Sequence, residues 1–558
     1  MTVVDALAAE VWDLGPAAPG GGAIPPELVG LKAHGLIRMA QAGLPVPAGF
    51  VLSTRLCRRY HREGRQTLAD AAALARHEIS VLEVQTGRSF GGAHRPLLVA
   101  VRAGAAVSMP GMLETILNVG LNEASVRGLI RLTGDPRFAW DCFRRFIQQF
   151  AQVVHGCATR PFDEVIDAEL RASGAETVRD LDFAALERVA REFLHRYRML
   201  TGEAFPHDPY RQLEAAIEAV MRSWMSEKAR TFRRLEGFSD ERGTAVTVQA
   251  MVFGNAGAFS GSGVGFTRDP DMGEKRLYLD FLFNAQGEDV VSGRFTVEGD
   301  AALRQSMPGV AAELERIARL LEVEFRDMQD FEFTVERGRL YLLQTRSGYR
   351  SPLAAVRIAV DLVEEGLIDP ATALAHLSGI DIAGVEGRRL IVPAGVDPIA
   401  RAVPAAGGAA VGTVCFDAEE VEHAFARHLP AILVRHDIAT ADVAAIARAE
   451  GIVTAAGSRT SHAAVVARQL GKACLVGCDS LSFPMADGVC RFGNVVVAGG
   501  EELSVDGSSG AIYRGRLPVE SGRPEAELTK IEEWRESAQL PRRSVNGAFE
   551  TAHPKMSW

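Results

Sequence analysis

A neutral histidine at the start of a capped helix can accept and carry a phosphoryl group. The stretch Gly457-Ser458-Arg459-Thr460-Ser461-His462-Ala463-Ala464-Val465-Val466-Ala467-Arg468 reads as a loop running into such a helix. Thr460 and Ser461 can supply the N-cap hydroxyl, Ala463 to Leu470 is strong helix-forming sequence, and Gly471 stands as the C-terminal stop. Unpaired N–H groups and the positive end of the helix dipole favour anions there and disfavour imidazolium. His462 is therefore expected to be neutral and nucleophilic. The plainer reading is a histidine that happens to lie near a cap.

A second group is the pair Asp330 and Glu332 in Asp327-Met-Gln-Asp-Phe-Glu-Phe-Thr-Val-Glu336. Two apart on a strand, they project from one face. Arg337-Gly338 makes a turn, and the returning strand brings Gln344 and Arg346 opposite. Oxygen ligands flanked by an arginine suit Mg²⁺ holding polyphosphate, although an exposed strand face alternates polar residues in the same way. The run Gly254 to Gly263 joins two strands and is open enough for backbone N–H groups to approach phosphates. It lacks the Gly-Lys-Ser/Thr of a Walker loop and fits a hairpin connection equally well. Lys32 follows Gly30-Leu31 at a helix start, and Arg102 ends a buried strand, Leu97 to Val101. Both stand where α/β domains place ligand contacts, or are surface charges.

The elements that must position these residues follow an α/β pattern from Pro26 onward, and 558 residues are too many for one core. Residues 1–25, rich in Ala, Gly and Pro, are expected to be a flexible N-terminus. Residues 26–350 read as one α/β region, mainly helical over 136–235, with helix Lys32 to Gly43 near its start and strands at Gly49 to Leu52, Ala245 to Phe253 and Arg276 to Phe283. Residues 351–400 read as a helical connector, Ser351 to Leu377, and a linker; the composition shift to Gly, Ala, Pro and Val around Gly384 to Gly412 marks a domain boundary or a flexible linker. Residues 401–518 alternate short strands and helices as a compact α/β domain. Residues 519–558 form a tail with one helix, Glu525 to Gln539.

Composition narrows the partners. A net charge of −10 without a Lys/Arg run argues against nucleic acid, and no apolar run is long enough to span a bilayer. The first fifteen residues carry no basic segment of a secretory signal, so the cytoplasm is the expected compartment. Seven cysteines, with only Cys474 and Cys478 close together, point to buried free thiols rather than a zinc site.

Taken together these segments resemble the pyruvate, phosphate dikinase family. Arg102-Ala-Gly-Ala-Ala-Val-Ser-Met-Pro-Gly-Met-Leu-Glu-Thr115 is similar to its arginine-bearing nucleotide loop. Gln249 to Pro270, Asn284-Ala-Gln-Gly-Glu-Asp-Val-Val291 and Asp327 to Arg346 are similar to its ATP-grasp segments, and Thr460 to Arg468 to its phosphohistidine motif. The resemblance implies an ATP-grasp nucleotide-binding domain with a helical insertion, followed by a swivelling phosphohistidine domain. Lys32, Arg102, Glu288, Asp330, Glu332, Gln344 and Arg346 would contact ATP, and Asp330, Glu332 and Gln344 would hold Mg²⁺. His462, supported by Thr460 and Ser461, would take the β-phosphoryl group and release AMP while inorganic phosphate accepts the γ-phosphoryl. The Ser-Met-Pro-Gly-Met loop is more like the phosphate-using dikinases than the water-using phosphoenolpyruvate synthases.

Departures from the family pattern are Leu31 and Ala33 in place of a Gly-Lys-Gly setting, and Ala106 in place of a second arginine. Ala456, Ser458 and Arg459 stand for Arg, Gly and Met. The family's C-terminal pyruvate/phosphoenolpyruvate barrel of roughly 200–250 residues has no room before Trp558. The expectation is thus a partial reaction that passes the group to pyruvate or another acceptor on a separate barrel subunit, with a homodimer left open. The alternatives are a non-catalytic nucleotide-binding remnant and a small-molecule phosphotransferase.

Overall fold

A computed structural model describes residues 8–15, 24–107, 109, 112–291, 298–438, 443–457, 459, 462–484 and 488–537. They fall into two units. One is built from the chain up to Ser260 with Val335–Thr345, the other from Gly261–Thr334 with the chain from Arg346 onward.

In the first unit, strands β1 (Val11–Asp13), β2 (Gly49–Leu52), β3 (Val99–Gly104), β4 (Thr115–Val119) and β5 (Ala245–Ala250) pair antiparallel in the order β1-β2-β5-β3-β4. β2 is buried at every residue and β5 at all but its last, which is why they read as apolar runs without alternation. Helices α1 (Pro26–Gln41), α2 (Arg65–Thr86), α3 (Pro136–His155) and α5 (Pro209–Ser223) pack on this sheet, and α4 (Phe183–Thr201) packs on α3. Their boundaries are set locally. Asp135 accepts from the Phe138 N–H at 2.9 Å ahead of Pro136, and Gly156 closes α3 in the left-handed region. The aromatic rings of Phe143, Phe146, Phe150, Tyr197 and Phe205 meet edge-on in the core between α3 and α4.

The second unit begins with the sheet β8-β7-β6-β9-β10, made of β6 (Gly261–Phe266), β7 (Tyr278–Phe283), β8 (Glu298–Gly299), β9 (Gln329–Glu336) and β10 (Arg339–Ser347). The turn end of the β9–β10 hairpin, Val335–Thr345, is counted with the first unit. Short helix α6 (Gly287–Val291) follows β7, and α7 (Pro308–Phe325) precedes β9. Helices α8 (Pro352–Glu364) and α9 (Pro370–His376) then share a core with Phe266, Met328 and, from the tail helix α11 (Glu525–Ser537), Ile531. At its centre Arg268, fully buried, donates to Glu322 on α7 at 2.9 Å and to Glu365 just past α8 at 2.9 Å.

Later strands include β11 (Gly387–Leu390), β12 (Ala400–Arg401), β13 (Val403–Ala406), β14 (Ala409–Cys415), β15 (Ala431–Arg435), β16 (Gly451–Thr454), β17 (Ala473–Val476), β18 (Glu502–Asp506), β19 (Ala511–Arg514) and β20 (Val519–Gly522). Eight of them form one sheet in the order β12-β19-β18-β14-β15-β16-β17-β13. Its centre, β14 to β17, is parallel, and α10 (His462–Gln469) is the crossover from β16 to β17. Ligands of open α/β sheets bind at the carboxyl ends of such strands, where the loop after β16 lies.

Several expectations change. α1 starts at Pro26 and is interrupted at Gly30 (φ 76°), rather than starting at Lys32. β3 runs through Arg102 to Gly104 because β5 pairs with it that far. The connector from Ser351 is two helices, separated by the turn at Gly366. The Gly384 to Gly412 stretch is not an unstructured linker, since Gly387–Leu390 pairs antiparallel with Val519–Gly522 and Ala409 opens the central strand β14. All seven cysteines are free thiols, buried except for the half-buried Cys157. Among the described residues no helix is long and apolar enough to cross a membrane.

Candidate functional site

The β6–β7–β9 sheet has two chemically different faces. β6 and β7 pair with Val264 opposite Asp280 and Phe266 opposite Tyr278. Between β6 and β9, Ser262 Oγ lies 3.0 Å from Thr334 Oγ1 and the Thr267 N–H donates to the Gln329 carbonyl at 2.9 Å. That antiparallel register sets Val264 beside Glu332 and Phe266 beside Asp330. One face therefore carries Tyr278, Asp280, Asp330 and Glu332 together. The opposite face is Phe281, Phe331 and Phe333 over Gly261, Gly263 and Gly265. A Cβ on Gly263 would stand 2.5 Å from the Phe333 ring, and one on Gly265 2.6 Å from Phe331. Gly261 and Gly263 of the expected phosphate loop are thus strand residues that make room for aromatic rings; only the part up to Ser260 is a connection.

On the polar face, Asp330 is 7% exposed and Arg346 reaches its Oδ2 at 2.7 Å. Burial raises the Asp330 carboxyl and Arg346 opposes the rise. Glu332, on the same strand face, is half-buried. Among the described residues no group of three or more His, Cys, Asp or Glu side chains is assembled as a metal cage. A carboxylate pair does match Mg²⁺, which is held by one or two carboxylates with phosphate oxygens and water completing its shell.

The histidine-bearing element meets this same face. After β16, the Ala455 and Ala456 N–H groups donate to Arg435 and His436 carbonyls at 3.0 and 2.8 Å, and Gly457 turns the chain at φ 116°. His462 is the first residue of α10, and Gly471 (φ 64°) follows its end as expected. The His462 side chain, Thr460 and Ser461 lie outside the described residues. Two arginines, Arg459 and Arg468, flank them. Arg459 lies 3.3 Å from Asp280, with its guanidinium carbon 4.7 Å from the Tyr278 ring centre. Arg468, fully buried, donates to Asp271 at 3.1 Å and to the Ala405 carbonyl, and stands 5.5 Å from the Phe266 ring centre. The Tyr278 hydroxyl donates to the Pro404 carbonyl at 3.3 Å. Burial raises the carboxyls of Asp271 and Asp280, and the arginines pull them back.

Sequence reasoning gave Asp271, Tyr278, Asp280 and Arg468 no role. The available signal was a lone carboxylate in the apolar strand Tyr278–Phe283 and a lone arginine closing an apolar helix.

Within the first unit, Lys32 and Arg102 belong to one local structure. Gly30 approaches Gly104 so closely that a Cβ on Gly30 would sit 2.2 Å from its carbonyl oxygen, and the Leu31 N–H donates to Ala105 at 2.9 Å. The exposed Lys32 is thereby tied through the first turn of α1 to the end of the strand carrying half-buried Arg102. In the loop beyond, Ser108, Pro110 and Gly111 lie outside the described residues. Gln344, half-buried on β10, is also counted with this unit, whereas Glu288 lies on α6 in the other, its side chain outside the described residues.

Residues 74–308 match the family model "Pyruvate phosphate dikinase, AMP/ATP-binding domain", and residues 429–510 match "PEP-utilising enzyme, mobile domain". The chain is 41% identical over 551 residues to pyruvate, phosphate dikinase of Rhizobium meliloti (strain 1021), covering 96% of this chain and 61% of that protein. It is 40% identical over 511 residues to that of Clostridium symbiosum, covering 91% and 58%. With pyruvate, phosphate dikinase 2 of Zea mays it shares 42% identity over 510 residues, again 91% and 58%. The chain thus spans roughly 60% of the length of these relatives.

Proposed function

The chain belongs to the pyruvate, phosphate dikinase group of PEP-utilising enzymes, with its AMP/ATP-binding and mobile domains, and we propose that it uses ATP to phosphorylate its own His462. The γ-phosphoryl group passes to inorganic phosphate, giving pyrophosphate. The β-phosphoryl group passes to a ring nitrogen of His462 as its bond to the AMP oxygen breaks. Phosphohistidine then serves pyruvate or another acceptor held outside these two domains.

One observation carries this reading: the His462 segment docks, through Arg459 and Arg468, on the sheet face that also holds Asp330 and Glu332. Phosphoryl transfer asks a protein mainly for positioning and charge neutralisation. Lys32, Arg102 and Arg346 are the proposed cationic contacts to ATP, with Glu288 a further nucleotide contact. Asp330 and Glu332, joined by Gln344 as an oxygen donor, are the proposed holders of Mg²⁺. The metal, when bound, would neutralise and align the phosphate oxygens. Thr460 and Ser461 would cap the helix and steady the histidine loop. The helix N-terminus would keep the imidazole neutral before transfer and favour the phosphorylated form after it. Donor and acceptor chemistry at separate places requires the 401–518 region to swivel, with the paired strands Gly387–Leu390 and Val519–Gly522 as its two connections.

The test is AMP production by purified protein with MgATP, with and without inorganic phosphate. A single stoichiometric burst of AMP that disappears in His462→Ala is expected, with pyrophosphate formed only when phosphate is present. Orthophosphate cleaved from ATP without added phosphate would move the reaction to the water-using class, and no AMP under either condition would favour a non-catalytic nucleotide-binding protein.

A further inference from the structure

We propose that Arg459 is a positioning residue for phosphorylation of His462, with Asp280 and Tyr278 as its receptor on the carboxylate-bearing sheet face. The proposal deepens the phosphotransfer reading and rests on it for its functional consequence.

Two arginines join the histidine-bearing region to that sheet, and they differ in kind. Arg468 is fully buried, holds the Ala405 carbonyl of its own region and pairs across to Asp271, so replacing it would disturb its own region as well as the contact. Arg459 stands on the loop three residues before His462, and its side chain is 21% exposed. Its ion pair with Asp280 and its stacking on Tyr278 both reach across to the sheet, so it can let go without unpacking the helix. Asp280 is 4% exposed at its side chain, so in the docked state its charge is answered chiefly by arginine rather than water. Through Val264, Asp280 lies in the same cross-strand row as Glu332. A contact there sets the height of the histidine loop over the carboxylates while leaving nucleotide binding to other residues.

The docked arrangement is one end of the proposed swivel, and a contact made only at that end shifts the population towards it. Loss of Arg459 therefore lowers the docked fraction, and with it the rate of histidine phosphorylation.

The experiment uses the full chain with Arg459→Met, Arg459→Lys, Asp280→Asn and the Met/Asn double variant. Three quantities are read: single-turnover phosphohistidine formation at saturating MgATP, affinity for a non-hydrolysable ATP analogue, and the docked fraction. The last comes from electron–electron spin distances between labels at Arg316→Cys and Glu419→Cys in a Cys157→Ser background. Arg459→Met and Asp280→Asn are expected each to slow phosphorylation and reduce the docked fraction by about tenfold, a coupling of about 1.4 kcal/mol, the double variant being no worse than the slower single. Analogue affinity stays within about twofold of wild type, and Arg459→Lys recovers part of the rate because it keeps the charge but not the planar stack. A docked fraction and rate for Arg459→Met within about twofold of wild type, or fully additive singles, would overturn the proposal. A wild type that forms no phosphohistidine but still loses docking with Arg459→Met would retire the phosphotransfer reading and leave the docking contact standing.

Discussion

Asp330→Asn separates what this carboxyl does for stability from what it does for chemistry. The side chain is 7% exposed, but its partner Arg346 is 41% exposed and returns to water when the charge is removed. Burial already raises the Asp330 carboxyl, so the fold gains little from its ionised form. Losing a pair with a half-exposed partner costs about 1 kcal/mol or less. In a unit of this size that lowers Tm by about 2–4 °C. Removing one charged group from a preorganised phosphate-transfer site, in contrast, slows the step about 10²–10³-fold. Thermal unfolding and rapid-quench phosphohistidine formation, run on the same preparation, read the two effects apart. A Tm fall above about 8 °C, or transfer within about threefold of wild type, refutes the assignment of Asp330 to the nucleotide face.

Three further outcomes follow from the same geometry. Arg268→Met leaves Glu322, 3% exposed, without its guanidinium, and should cost about 3–5 kcal/mol by denaturant unfolding; a loss below about 1 kcal/mol contradicts the buried network. Gly263→Ala places a methyl 2.5 Å from the Phe333 ring and 2.7 Å from the Asp280 carbonyl, so it should destabilise by about 1–3 kcal/mol and be partly rescued by Phe333→Leu; an innocuous single variant contradicts the two-faced sheet. The third concerns pH. Asp280 is raised in the folded state by burial, so its contribution favours folding at low pH and is lost as pH rises from about 4 through the folded value. Arg459→Met removes an opposing charge and raises it further, so Tm of the variant should fall more steeply than wild type as pH rises above about 4; parallel profiles contradict the ion pair.

What the sequence made legible was local. The helix beginning at His462 follows from a helix-forming run and Gly471. The shared face of Asp330 and Glu332 follows from the two-residue period of a strand, and Arg346 from the hairpin that returns after Gly338. Partners that meet only on folding were illegible. Asp271 and Arg468 are 197 residues apart, and nothing near either one announces the other. Gly261 and Gly263 looked like a phosphate loop because composition cannot distinguish glycines that approach a ligand from glycines that admit an aromatic ring. Phe281 and Phe333, which decide the matter, lie on the neighbouring strands β7 and β9. The Gly387–Leu390 segment read as flexible linker for the same reason, its pairing partner being Val519–Gly522.

The central claim is that His462 carries the β-phosphorus of ATP. The direct measurement is incubation with Mg²⁺, inorganic phosphate and ATP labelled at the β position, followed by peptide mapping of acid-labile, alkali-stable label. The account predicts stoichiometric label on the peptide containing His462 and none in His462→Ala. Label from the γ position instead, label on another residue, or none in the wild-type protein would contradict it.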